Sequence, residues 1–235
     1  MGELDKLREL KNDFELKLKE LIATQSEVKN KLSSIATINE EQNIKIKNLE
    51  MKEKINVLIS KNEYQRALEY IAIGLDVQKN DVELLSSKVA CLLRLGNHRD
   101  AIDAINRILI IDSNNQYHVE TLAELYLFTE SIDNYNDLVK NKKDVFNVEE
   151  EPLIEYLEAL KHYVKNDTEG LKTVIKACVN KYSLTDTTCL LAWDFRDVRL
   201  FARSRKDDVA KKILLSFTKY LDGKLSGEDL LKLLE

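Results

Sequence analysis

The residue types that could carry chemistry are few and scattered along this chain. The three histidines, His98, His118 and His162, fall in separate segments, and none has a cysteine or carboxylate at metal-ligand spacing. No HExxH or CxxC motif occurs, so no metal site is expected. Cys91, Cys178 and Cys189 each stand in an apolar helical setting, where a thiol stays protonated and inert. Glycines lie singly apart from the pair Gly223 and Gly227, which leaves nothing to build a phosphate-cradling loop or a nucleophile elbow. The sequence therefore predicts no enzyme, no catalytic residue and no cofactor. One cluster does concentrate charge: Arg196, Arg199, Arg203 and Arg205 crowd into ten residues beside Trp193, Phe195 and Phe201. Arg196, Arg199 and Arg203, at i, i+3 and i+7, share a helix face, an arrangement that suits nucleic acid or a phosphorylated or acidic ligand. The opposing reading makes the aromatic residues core and the arginines a solvated face paired with Asp194, Asp197, Asp207 and Asp208.

Whatever positions these residues is helical. Six glycines and one proline in 235 residues are too few to turn a sheet every 8 to 12 residues or so, and an all-α fold follows. Charged residues make up 33% of the chain against a typical ~25%, with 44% apolar, the balance of coiled coils and solenoids with wide solvated faces. The longest apolar runs, such as Val89 to Leu93, are five residues, far short of the ~18 to 20 of a membrane span. No membrane association is expected. The first residues mix charges at once and lack the apolar core of a secretory signal, and the three cysteines are an odd number without CxxC spacing, so a reducing cytoplasmic setting is expected. The net charge of −5 makes a nucleic-acid partner unlikely for the chain as a whole.

Between Gly2 and Gly74 no Gly or Pro interrupts the backbone, and apolar residues recur every 3.5 positions. With Leu4 as a, the a sites are Leu4, Lys11, Leu18, Gln25, Leu32, Asn39 and Ile46; the d sites are Leu7, Phe14, Leu21, Val28, Ile35, Gln42 and Leu49. Ten of these fourteen are apolar over seven heptads, the pattern of a coiled coil. The polar residues at alternate a sites set register, Asn39 favouring a parallel pair, while Lys45 with Glu50 is the one attractive flanking combination. A continuous apolar seam must be covered. The simplest cover is a second copy, giving a homodimer through residues 4–49; the alternative folds the helix back on the chain.

From residue 48 the pattern changes to paired helices related by an offset of 34 residues. Asn62-Glu63-Tyr64-Gln65-Arg66-Ala67-Leu68-Glu69 aligns with Gly96-Asn97-His98-Arg99-Asp100-Ala101-Ile102-Asp103, each a turn followed by the start of a second helix. A third unit begins with Val119, Leu122, Ala123 and Tyr126 in phase, with Glu130 and Tyr135 in the turn and small-residue places. Through Gly96, Ala101, Ala67 and Gly74 the segment from about 48 to 129 resembles the tetratricopeptide repeat family. The resemblance implies stacked helical hairpins whose first helices line a concave face that grips a protein or peptide segment. Carried onto this chain, that lining is Lys52, Asn56 and Ile59, then Ser86, Ala90, Leu93 and Arg94, then Glu120, Glu124, Leu127 and Phe128. Ser87, Tyr117 and Thr121 stand where the family's carboxylate clamp has its Asn and two cations, which disfavours an acidic C-terminal tail of that kind.

The charged stretch from Asn141 to Glu151, ended by Pro152, marks a boundary. The domains expected are a coiled-coil helix over 1–47, hairpins over 48–143, a degenerate fourth hairpin over 152–182 turning at Asn166-Asp167-Thr168, and a C-terminal helical cap over 183–235. Within the cap, helices are expected from about Asp186 to Arg203, from about Asp207 to Leu221, and after Ser226. The function expected is a non-enzymatic adaptor or scaffold.

Overall fold

A computed structural model describes residues 2–146, 152–182, 189–206 and 208–235, apart from the side chains of 3–9. Among them the regular structure is entirely helical: α1 Glu3–Ser60, α2 Tyr64–Val77, α3 Val82–Arg94, α4 His98–Ile111, α5 Gln116–Phe128 and α6 Ile132–Asn141 come first. They are followed by α7 Lys143–Phe146, α8 Leu153–Val164, α9 Thr168–Lys181, α10 Arg196–Arg203, α11 Val209–Leu221 and α12 Gly227–Lys232. None is long and apolar enough to cross a membrane among the described residues. The chain divides into two compact units, Met1–Lys54 and Ile55–Glu235.

The first unit is the greater part of α1. Every side chain from Leu10 to Lys47 is exposed, and the seam residues from Phe14 to Leu49 keep between 48% (Leu18) and 69% (Phe14) of their surface open. Leu4 and Leu7, the first a and d sites, lie outside the described side chains. Ion pairs one turn apart, Asp13 with Lys17 and Glu27 with Lys31, both at 2.8 Å, line its surface. Such exposed pairs contribute a few tenths of a kcal/mol each, about 0.2–0.5, so they do not explain a helix of this length. The helix runs unbroken past residue 47, so the change from seam to hairpins falls inside one element.

The second unit is organised by one turn used repeatedly. Asn62, Gly96, Glu130 and Asn166 all adopt a left-handed conformation, with φ of 59°, 71°, 57° and 57°. Each amide bonds back three residues, and the next amide bonds back five, as in Gly96 to Leu93 (3.0 Å) and Asn97 to Leu92 (2.9 Å). Glu130 to Leu127 and Ser131 to Tyr126, then Asn166 to Tyr163 and Asp167 to His162, repeat it. Five residues past each turn residue a side chain is fully buried: Ala67, Ala101, Tyr135 and Leu171. The third unit therefore has its second helix, α6, although Tyr135 replaces the small residue; the larger ring finds room by donating its hydroxyl to Glu158 at 2.8 Å. The second helices of the middle and fourth hairpins, α4 and α9, are capped by Asn97 and Asp167, whose side chains accept the amides of Asp100 and Gly170.

Hairpins α3–α4, α5–α6 and α8–α9 pack internally, and α2 on α3, α4 on α5 and α5 on α8 join them into one row. Pro152 precedes α8 as expected of a first-turn proline, α11 covers α8 and α9, and α12 closes against α9 and α11. Asp208 and Ser226 cap α11 and α12.

The cap differs from expectation at one place. Asp186 lies outside the described residues, residues 189–195 form no helix, and α10 begins only at Arg196. The amides of Leu190 and Leu191 both donate to the carbonyl of Leu221, at 2.8 and 3.1 Å. Those of Trp193 and Phe195 turn back two residues, to Leu191 and Trp193. These bonds replace the helical ladder.

Gly96 tests the turn. A Cβ there meets nothing within 4 Å, so only its positive φ resists substitution. Gly96→Ala should lose about 1 kcal/mol in urea unfolding and Gly96→Asn clearly less. Equal midpoints for wild type and Gly96→Ala would sink the argument.

Candidate functional site

Of the residues expected to line a partner groove, many are covered by the chain itself. Leu93, Glu120, Glu124, Leu127 and Phe128 are buried and Arg94 is half-buried, whereas Asn56 and Ala90 are exposed. Lys52 is half-buried on α1, in the first unit. The cover over α3, α5 and α8 is the strap formed by residues 189–195 with α10. On α5, Glu124 and Phe128 are not open lining: they contact Trp193 and Phe201, 69 and 73 positions further along.

Three contacts fix the strap. Arg94 reaches across to both Asp194 and Asp197, one guanidinium arm to each carboxylate. Glu124 accepts a hydrogen bond from Trp193 Nε1 at 3.2 Å and another from the Tyr156 hydroxyl, tying α5 to the strap and to α8. Phe201 stacks on Phe128 with ring centres 4.6 Å apart, and Phe195 meets Tyr156 edge-on at 5.3 Å. The strap buries Leu191, Phe195, Val198 and Phe201. At about 1.5–3 kcal/mol for each such side chain, the gross gain is on the order of 10 kcal/mol, so the strap belongs to the folded core. A partner peptide would need a comparable gain to displace it.

Burial shapes the charges beneath. Glu124 is pushed up to about 8 by loss of solvent, against which its hydrogen bonds from Tyr156 and Trp193 act. Burial also raises Asp197, although Arg94 opposes the shift. Asp194 behaves oppositely: burial alone would raise it, but hydrogen bonds from the Arg196 side chain and backbone, with the charges of Arg94 and Arg196, hold it down to about 2. Between α5 and the strap lies a cavity of about 120 Å³ bordered by Glu120, Glu124, Trp193 and Asp197. A small-molecule pocket typically occupies roughly 300–1,000 Å³, so this space is too small for a metabolite.

The arginine face is real, and part of it is neutralised. Arg196 holds Asp194 through Nε at 2.9 Å and Nη2 at 2.7 Å. Arg199 stands 3.7 Å from Asp222, which also pairs with Lys224. Arg205 bridges to Glu130 at 2.8 Å and lies over the rings of Phe201 and Tyr163. Arg203 is exposed and makes no ion pair among the described residues. Asp208 caps α11 rather than pairing with an arginine, and Asp207 lies outside the described residues.

One constellation escaped the sequence reading. His118 Nε2 lies 3.1 Å from the Ser86 hydroxyl, and its Nδ1 lies 2.7 Å from the Asn115 side-chain oxygen. A serine, an imidazole and an orienting amide in this order have the outline of a nucleophile and its base. The local setting argues against that chemistry. Ser86 sits inside α3 and also donates to the Val82 carbonyl at 2.8 Å, and neighbouring helical amides are committed to the helix, leaving none to hold an oxyanion. Asn115 simultaneously accepts the His118 amide as the cap of α5, so the network is accounted for as helix-end architecture. The other histidines are placed separately, His98 against Phe128 and His162 against Asp167 at 2.8 Å.

Compared with protein-family models, curated proteins and solved structures, the chain matches none.

Glu124 carries a pH signature. Its folded value of about 8 lies above the ordinary 4.5, so the folded chain retains a proton that the unfolded chain has released over that interval. This contribution to stability is full below about pH 4.5 and is lost as pH rises towards 8. Urea midpoints of wild type should therefore fall between pH 5 and 8 relative to Glu124→Gln, in which the step is absent. Parallel pH profiles for the two proteins would show Glu124 to be ionised throughout.

Proposed function

We propose that the chain is a non-enzymatic, cytoplasmic adaptor: a coiled coil formed by two copies of α1 joins two tetratricopeptide-like arrays of helical hairpins, each presenting part of its concave face to a protein partner. The observation that carries this reading is the uncovered seam. Ten apolar a and d residues recur over seven heptads. The eight of them from Phe14 to Leu49 are exposed. Contiguous apolar surface of that extent marks an interaction site on a protein that stays in solution. A second copy supplies a seam of identical spacing, into whose holes each a and d residue fits as a knob.

The array reading is supported by the left-handed turns at Asn62, Gly96 and Glu130, spaced by 34 residues, with Asn166 following 36 later. Each hairpin of such an array leaves an apolar face for the next to bury, so the row has two ends and one continuous groove. The strap occupies the groove over α5, and the partner-facing part is the remainder, near Asn56, Ile59 and Ala90.

Assembly can be measured directly. Light scattering should give twice 27.2 kDa for the full chain and a helical monomer for a chain starting at residue 48. Asn39→Ile should raise the melting temperature of the oligomer and loosen its stoichiometry, because the buried amide that selects a pair is gone. A full chain that remains monomeric at tens of micromolar removes the dimer.

A further inference from the structure

The open end of the groove has a chemical character of its own. Two clefts of about 370 and 300 Å³ share Asn62, Tyr64, Arg94 and Arg196, so they form one continuous depression. Its inner part sets the apolar side chains of Ile59, Ala90 and the largely buried Leu93 beside Tyr117 and the carboxylates of Asp194 and Asp197, both of which are held by Arg94. Its outer part is lined by Arg94, Arg196, Arg199 and Arg203 without any carboxylate. Counting the acids that pair with these groups, five cations, Lys224 included, face three carboxylates, Asp194, Asp197 and Asp222. Asp194 and Asp197 are consumed by Arg94 and Arg196, which hold the strap. The charge left over is therefore at Arg203, exposed and without an ion pair among the described residues, and at Arg199, whose partner is 3.7 Å away and shared with Lys224.

We propose that this depression binds an acidic segment of a partner protein, with carboxylates on Arg203 and Arg199 and an apolar side chain over Ile59, Ala90 and Leu93. The proposal rests on the adaptor reading and names the chemistry of its partner. Charge complementarity selects carboxylates, because a guanidinium fork accepts a planar two-oxygen group in parallel hydrogen bonds. The apolar floor selects a peptide over a polyanion. Nucleic-acid binders commonly neutralise about six to ten phosphates, and an excess of two cations over carboxylates among the described residues, on a chain of charge −5, cannot supply that. A peptide with two carboxylates and one apolar anchor matches what is present.

The test is to pan a random dodecapeptide display library against the full chain and measure the enriched peptides by fluorescence anisotropy at two salt concentrations. Peptides combining acidic and apolar residues should be enriched and should weaken as salt is added. Their affinity should fall at least tenfold in Arg203→Glu and in Arg199→Gln, while Lys176→Glu, an exposed charge reversal on α9, leaves it unchanged. Arg203 is exposed and makes no ion pair among the described residues, so its reversal should melt with wild type; Arg199→Gln provides the second, milder variant. Enriched peptides that lack acidic residues, or that ignore both arginine variants, overturn this site and leave the adaptor reading standing. Failure to enrich any peptide counts against both. A single-stranded 20-nucleotide DNA that binds more tightly than the best peptide and is lost in Arg203→Glu overturns the proposal in favour of a nucleic-acid ligand.

Discussion

The double reach of Arg94 to Asp194 and Asp197 is the interaction on which the path of residues 189–203 across the second unit depends. Arg94 ends α3, and both acids belong to the strap, about 100 residues later. Two charges as buried as Arg94 and Asp197 are tolerated only when each satisfies the other. Removing one member of such a pair typically costs about 3–5 kcal/mol, because the remaining charge stays buried and alone. Once the strap is anchored there, Trp193 is held against Glu124, Phe195 against Tyr156 and Phe201 against Phe128. The polar contacts fix register and direction, and the aromatic rings supply most of the burial. Neither set would define the strap's path by itself, since apolar packing alone tolerates sliding.

The same logic separates the two units. In the second, each hairpin's apolar face is buried by a neighbour, and the last concave faces by the strap, α11 and α12. In the first, the seam of α1 between residues 10 and 47 is exposed among the described residues. A helix of this kind gains little from isolated one-turn ion pairs, so its order in solution must come from packing against something of matching period. Neighbouring elements thus supply the burial in one unit, while the described seam of the other stays exposed.

Much of the architecture was legible because its causes are local. Asn62, Gly96 and Asn166 announce turns by residue type, Ser226 announces a cap, and Pro152 announces a helix start, whereas Asp208, expected to pair with an arginine, caps α11. Glu130 announced nothing, because glutamate has no preference for a left-handed backbone; only its place 34 residues after Gly96 pointed to the turn. Residues 189–195 read as helix, since their composition is apolar and unbroken. What holds them out of a helix is remote: the Leu221 carbonyl, the Glu124 carboxyl group and Arg94, none within 25 residues in sequence. The pairing of Ser86 with His118 was equally invisible, the two being 32 residues apart and joined only through the stacking of α3 beside α5's first turn.

The arginine cluster shows why spacing predicts a shared face and not its free charge. Arg196, Arg199 and Arg203 do share α10, as their spacing requires. How much charge they offer is decided by carboxylates that the pattern cannot rank: Asp194 takes both Arg94 and Arg196, and Asp222 divides between Arg199 and Lys224. Compensation runs along the helix as a gradient, tightest at Arg196 beside the strap and, among the described residues, absent at Arg203. A ligand approaching this face therefore meets fixed cations where the strap must be held and available ones at the outer end. The same acids that would weaken a general polyanion site leave a short, two-cation edge beside apolar surface. Selectivity for a small number of negative charges then follows from what the strap requires for its own anchoring.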